Sequence, residues 1–478
     1  MAPSTRKRKS AKLDSSTETK PIAPKLEPSE TKNMKPKLEP SETKPMTPKL
    51  EEPSETKPTK MRPTGTKPIT PKIEMDQIIS NQTDVAMTLT KHILGDNNTC
   101  NVVLSPLSLQ LVLGLVAAGS ESESLKQLLS FLKAESTEEL NSLASHLANH
   151  VFTGGSPPGE LTLSLANGVW IDKSLSFQPF FSKVVDDVYK AGSDVVDFKN
   201  KASEAAEKVN LWIEKKTYGL IKDTISPDLF DDETRIVFAN AIYFKGFWAN
   251  KFDMLSTRND DFYLLDDSSV HVPFMTSTTK YYCISAFDGF KVLELPYKRE
   301  TDMRDISMYF FLPDAKDGLS TLVDKLASES GFLERHIPSE MERVGQLRIP
   351  KFKISFEFEA SKALKELGVC APFIRGRRDF DRMVNSVYDE LLYVSGVFQE
   401  SYIEVNESGT EACAYSRIPM CGGGPLPVTK IDFIADHPFL FLIRENKTGV
   451  VLFIGQVLNP EASWPRFSID YNTIFGNR

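Results

Sequence analysis

Three runs in the second half of this chain, MYFFLP at 308–313, FLFLI at 439–443 and VVLFIGQV at 450–457, are apolar at almost every position. Side chains of a strand alternate between its two faces, so strands like these must be covered on both sides. FKISFEF, by contrast, places Phe352, Ile354, Phe356 and Phe358 on one face only. LTLSLANGVWID alternates Leu161, Leu163 and Leu165 in the same way, which predicts a strand with one buried side. The first half of the folded region reads differently. Ile78, Ile79, Val85, Ala86, Leu89 and Ile93 recur at helical spacing. NVVLSPLSLQLVLGLVAAGS predicts a short strand, a turn at Ser105-Pro106 and a buried helix ending near Gly119. STEELNSLASHLANHVF opens with a capping box, Ser136 and Glu139, before Leu140, Leu143 and Leu147 share a face. Helices first and strands later imply an α+β fold with large mixed or antiparallel sheets.

The front of the chain cannot join that fold. Residues 1–75 hold 13 of the 30 prolines, no Cys, Phe, Trp or Tyr, and a net charge of +7, against −15 for the remainder. KLEPSETK at 25 and 37 and KLEEPSETK at 49 repeat with a period of twelve. Proline at this density blocks helices and sheet ladders, so residues 1–75 are expected to form a disordered, partly polyproline-like basic tail. RKRK at 6–9 reads either as a nuclear import signal or nucleic-acid contact, or as a solvated charge cluster. No apolar run reaches 18 residues, and MAPSTRKRKSAKLD lacks the apolar core of a secretory signal. The expectation is a cytoplasmic or nuclear protein. Its scattered Cys100, Cys283, Cys370, Cys413 and Cys421 would be reduced thiols, and the sequons at Asn81, Asn97, Asn406 and Asn446 unused.

No catalytic constellation emerges. The chain has no GxSxG elbow, phosphate-binding loop or paired CxxC motif. His146 and His150 are four residues apart on a helix, but Leu147 stands where a zinc protease would need its glutamate. The expectation there is a solvated surface. Asp436 and His437, adjacent before Pro438, are read as pointing to opposite faces with a structural role. Cys413 and Cys421 lack a fixed base. Neither a metal nor a cofactor is expected, and the chain is read as a non-enzyme.

What remains is EVNESGTEACAYSRIPMCGGGPLP at 404–427, a long polar and glycine-rich segment between two strand-like runs. Loops of this length inside compact domains are uncommon and usually functional or disordered. Together with NVVLSPLSLQLVLGLVAAGS, FANAIYFKGFWANKFD, IPKFKISFEFEASKALKELGV, IEVNESGTEA and ADHPFLFLIRENKTGVVLFIGQVLNP, it resembles the serpin family, and most of all the plant serpins. The resemblance covers residues 76–460, leaving 461–478 as a C-terminal extension. It implies three β-sheets, about nine helices and an exposed reactive loop at about 407–430. It also implies that a protease cleaves the loop, is held as an acyl-enzyme, and is trapped as the loop inserts into the main sheet. That mechanism belongs to the family rather than to a reading of these residues.

The loop's own sequence bears on whether it is built to insert. Thr410, Ala412, Ala414 and Ser416 form one alternate set and all are small; Glu411, Cys413, Tyr415 and Arg417 form the other. One small face suits a strand sliding into a sheet. Glu407 and Gly409 complete the implied hinge, with Gly409 supplying its flexibility. The resemblance further assigns Ser105, Ser108, Asn240 and Gln399 to the cluster that controls sheet opening, and Trp248 to the top of the sheet. Gln399 replaces the usual histidine, Ser408 a common acid, and Pro419 withholds a ladder hydrogen bond. Family spacing puts the scissile bond at Gly423–Gly424, with Met420, Cys421 and Gly422 as alternatives. With no Arg or Lys there, the partner is expected to be a serine or cysteine protease that is not trypsin-like. The expected function is suicide inhibition by a monomer. The alternatives are a serpin-fold substrate or binding scaffold, and a nuclear protein acting through its tail.

Overall fold

The computed structural model describes residues 71–152, 161–219, 221–277, 279–299, 304–386, 392–409 and 430–462, all in the unit that begins at Lys67. Helix α1 (Pro71–Asp96) starts on a proline, whose missing N–H costs nothing in a first turn. Its periodic residues Ile78, Ile79, Val85, Ala86, Leu89 and Ile93 are all buried. Strand β1 (Val102–Leu104) leads to α2 (Pro106–Ala118), N-capped by Ser105 and buried at every position. A helix apolar all round belongs at the centre of a protein. Helices α3 (Ser122–Phe131) and α4 (Thr137–His150) follow. Ser136 caps α4 by accepting from Glu139 N, but the Glu139 carboxylate turns to Glu135 N instead, so only half of the expected box forms.

Next come β2 (Leu161–Asp172), β3 (Leu175–Phe177), α5 (Pro179–Lys183), β4 (Gly192–Val196), α6 (Ala202–Lys216) and β5 (Ile236–Gly246). A largely stranded region holds β6 (Arg258–Tyr263), β7 (Ser269–Thr276), β8 (Tyr281–Phe287), β9 (Phe290–Pro296) and β10 (Ile306–Pro313). After α7 (Leu319–Ser328) and α8 (Phe332–His336) the chain forms β11 (Met341–Pro350), β12 (Phe352–Glu359), α9 (Ser361–Glu366) and β13 (Val384–Ser386). It closes with β14 (Val397–Val405), β15 (Ile431–Ile434), β16 (Phe439–Glu445) and β17 (Val451–Val457).

These strands build three sheets among the described residues, alongside nine α-helices, as the resemblance implied. The large sheet runs β1-β17-β16-β10-β9-β8-β11-β7-β6, with β15 added on β11; β13 and β3 form a small pair. The five-stranded sheet has the order β12-β14-β5-β2-β4. Its central neighbours β5 and β14 run parallel, whereas β5 with β2 and β14 with β12 are antiparallel.

Two apolar cores clasp that sheet. On one face Leu163, Val169, Ile171, Ile236, Phe238 and Ile242 join the main core around α2. On the other, Ala166, Trp170, Val237, Ala239 and Ala241 pack under Ala205, Ala206, Val209 and Ile213 of α6. The expectation of one buried side for β2 is therefore corrected: ten of its twelve residues are buried. Alternating leucines gave no sign that α6 covers the second face. In the large sheet β10 and β17 are buried throughout, as their composition required. Phe441 of β16, fully buried with its ring 5.4 Å from that of Phe352, ties the two sheets together. Phe441→Ala should lower stability by about 3–5 kcal/mol, read as an earlier urea unfolding midpoint.

Candidate functional site

The place where β14 meets β5 carries a buried polar column inside an otherwise apolar core. The sheet register sets Gln399 beside Asn240, and Asn240 beside Asn167 of β2. Gln399 Nε2 donates to Ser105 O at 2.9 Å and Ser108 Oγ at 2.7 Å. Ser108 Oγ donates to Asn240 Oδ1 at 2.7 Å, and Asn240 Nδ2 to Asn167 Oδ1 at 2.6 Å. Gln399 Oε1 accepts from Ser105 N at 3.2 Å. Three adjacent strands and the start of α2 are thus joined by one chain of neutral hydrogen bonds. The structure brings Ser105, Ser108, Asn240 and Gln399 together, and the glutamine uses both its amide groups. Asn167 is a member that sequence reading missed. Its signal was an asparagine in the apolar run LANGVW.

The β5–β14 register holds from Val397/Phe238 to Tyr402/Tyr243 and stops there. Beyond it β14 stays with β12 to Val405, and the chain turns back at Asn406–Gly409. Asn406 Oδ1 accepts from Ser408 N, and Gly409 N donates to Asn406 O. Gly409 has φ +85°, and a Cβ on it would stand 2.4 Å from Trp248 N, so no other residue fits without displacing backbone. It bridges Phe247 in antiparallel fashion. Trp248, buried and stacked on Tyr297, donates from Nε1 to Asn406 O and from its backbone N to Ser408 O. At position 408 the backbone does this work, so the absence of an acid there removes nothing from the contact.

Glu407 anchors the turn. Its buried carboxylate meets Lys351 Nζ at 2.9 Å and Thr257 Oγ1 at 2.9 Å. Burial opposes its ionisation, but hydrogen bonds from Lys351, the backbone and Thr257, with the Lys351 charge, hold its carboxyl below the ordinary value. Lys351 and Thr257 were invisible as partners in the sequence. Residues Thr410, Glu411, Ala412, Ala414 and Ser416, and Met420, Cys421, Gly422, Gly423 and Gly424, lie outside the described residues, as does Cys413.

Among the described residues, the other candidates have ordinary partners. The His146 and His150 rings stack at 4.3 Å, with His150 Nδ1 2.8 Å from His146 O. Asp436 and His437 lie between β15 and β16, not on a strand, and are bonded to each other at 2.8 Å, which corrects their expected divergence. His437 Nε2 meets Pro313 O at 2.8 Å, so the imidazole links two segments of backbone and side chain. Burial pushes the thiol of Cys100 up to about 11 and that of Cys283 up to about 12, leaving both protonated. His92, Asp96 and Glu366 converge at the surface, where Lys362 already pairs with Asp96.

A family model described as Serpin (serine protease inhibitor) matches residues 80–460. The chain is a serpin. It is 48% identical to Serpin-ZX of Arabidopsis thaliana over 81% of this chain and 99% of that protein. Serpin-Z1C of Triticum aestivum is 47% identical, over 80% and 96%. The solved structure of Arabidopsis AtSerpin1 in its native stressed conformation superposes on this serpin with a TM-score of 0.73 at 46% identity, covering 81% of this chain and 98% of that one. Serpins act on proteases as inhibitors, and the chain has that family and fold. Among the described residues no helix is long and apolar enough to cross a membrane.

Because Glu407 titrates below its ordinary value of 4.5, its contribution to this serpin's stability is complete above that pH. It is lost as pH falls through the lowered value. The acid change in tryptophan emission should therefore have a component that disappears in Glu407→Gln. In Lys351→Met that component should move to higher pH, since burial is then unopposed by the lysine.

Proposed function

We propose that this serpin inhibits a serine or cysteine endopeptidase by offering the segment at about 407–430 as bait. The protease nucleophile adds to the carbonyl carbon of the scissile peptide, expected at Gly423. The C–N bond to Gly424 breaks, the leaving amine takes a proton from the protease, and an ester or thioester joins the two proteins. The freed loop then enters the sheet between β5 and β14 and carries the attached protease with it.

One observation carries this reading: β5 and β14 are parallel, and their pairing ends at Tyr402/Tyr243, short of the turn where Gly409 comes back against Phe247. A segment continuing from Gly409 would run antiparallel to both neighbours. It would replace one parallel ladder with two antiparallel ones, which pair slightly better per residue. About ten new backbone bonds at ~1 kcal/mol each outweigh the one lost at Pro419, ~1–3 kcal/mol. The small set Thr410, Ala412, Ala414 and Ser416 would face the core on that strand. Gln399, by holding Asn240 and Ser108, would set the resistance to opening.

The test is incubation with a panel of serine and cysteine proteases that accept small residues, read on denaturing gels with sequencing of the released fragment. A stable covalent complex and a large rise in melting temperature after cleavage are expected. Ala412→Glu and Ala414→Glu, which would bury a charge, should cut the complexed fraction at least about tenfold in favour of cleaved product. Cys413→Ser, on the outward set, should leave it unchanged. Clean cleavage without complex or stabilisation would establish the substrate reading instead.

A further inference from the structure

The polar column ends at Asn167, and beside it lies a cavity that the sheet-opening geometry does not use. Strand β4 pairs with β2 only from Gly168 to Asp172. The Leu163–Asn167 edge of β2 has no strand on that side among the described residues, and it forms one wall of a cavity of about 290 Å³. At roughly 30 Å³ for each water-sized group, that is space for about ten of them.

The walls are of two kinds. Leu111 of α2, Ala144 and Ala148 of α4, Phe152, and Leu163 and Leu165 of β2 make an apolar interior. Lys190, Lys215 and Lys216 are exposed lining residues, and among the described residues no acidic one lines the cavity. None of the three ammonium groups has a carboxylate partner among the described residues, although Lys201, Lys208 and Lys222 on and near the same helix all do. Three lysines without a carboxylate partner among the described residues thus border an apolar hole, one of them, Lys216, with its ammonium 6.0 Å from the Trp212 ring. Tyr189 lines the cavity, and its fully buried hydroxyl has no hydrogen-bond partner among the described residues. That hydroxyl rests against Gly114, one turn along α2 from Leu111. Packed against Gly114, the hydroxyl is sealed from the open space and makes no contact with a ligand there.

We infer that this cavity binds an amphipathic organic anion, a carboxylate on an apolar body of about ten heavy atoms, with its head at Lys190, Lys215 and Lys216. The apolar body lies along Leu111, Ala148, Phe152 and Leu163. Neutral and cationic analogues lack the attraction of the lysines, and short carboxylates lack the buried surface.

Titration calorimetry on the full chain with decanoate below its micelle concentration tests this, against decanol and butyrate. Decanoate should bind at least tenfold more tightly than either. The triple variant Lys190→Gln, Lys215→Gln, Lys216→Gln and the cavity-filling Ala148→Phe should each weaken it at least tenfold while keeping the wild-type melting temperature. In case Ala148→Phe perturbs folding, lysine acetylation of the wild-type chain read by mass spectrometry gives a second measure. Decanoate should slow modification of Lys190, Lys215 and Lys216 and not of Lys208. Equal binding of decanol, undiminished binding by the triple variant, or no protection of the three lysines would each overturn the assignment.

Discussion

The five-stranded sheet is bonded across its centre by a few neutral hydrogen bonds between side chains. Gln399, Ser108, Asn240 and Asn167 form a single chain of donors and acceptors across β14, β5 and β2, with Ser105 closing it onto α2. Each such bond contributes about 1 kcal/mol net, while an orphaned partner in the same buried place costs about 1–3 kcal/mol. That asymmetry makes the column hard to take apart one member at a time. It tolerates concerted rearrangement, in which all members find new partners, and resists the loss of any single one.

The surroundings hold the column in place. Main-core residues press on one face of β5 and β2, and the α6 core presses on the other, so these strands move only together with a packed layer. The turn at the end of β14 is fastened differently. Glu407, Lys351 and Thr257 form a charged clamp at the end of β14, while Gly409 fits a space with no room for a side chain. Neutral bonds in the middle and an ion pair at the end respond to different conditions: the first to packing, the second to acid.

Much of the fold could be read from the chain because its evidence was local. The buried runs at β10, β16 and β17, the periodic face of α1, and Ser105 as the cap of α2 all announce themselves within a few neighbouring residues. The site was legible where a resemblance supplied the pairing, as for Ser105, Ser108, Asn240 and Gln399. It was not legible where the partner lies far along the chain and is chemically ordinary. Lys351 is 56 residues from Glu407, and Thr257 is 150 residues away. The second buried face of β2 was missed for the same reason, since α6 supplies it from elsewhere. Asp436 and His437 were misjudged because strand alternation was applied to a link between strands.

The separation of β5 and β14 along the chain has a consequence for synthesis. Asn240 and Gln399, side by side in the sheet, are 159 residues apart. A ribosome adding about 5–20 residues per second makes β5 roughly 8–30 s before its neighbour arrives. Through that interval the inner edge of β5 is an unpaired row of backbone donors and acceptors, open to whatever strand reaches it first. Nascent chains crowded on one message are the nearest source of the wrong one.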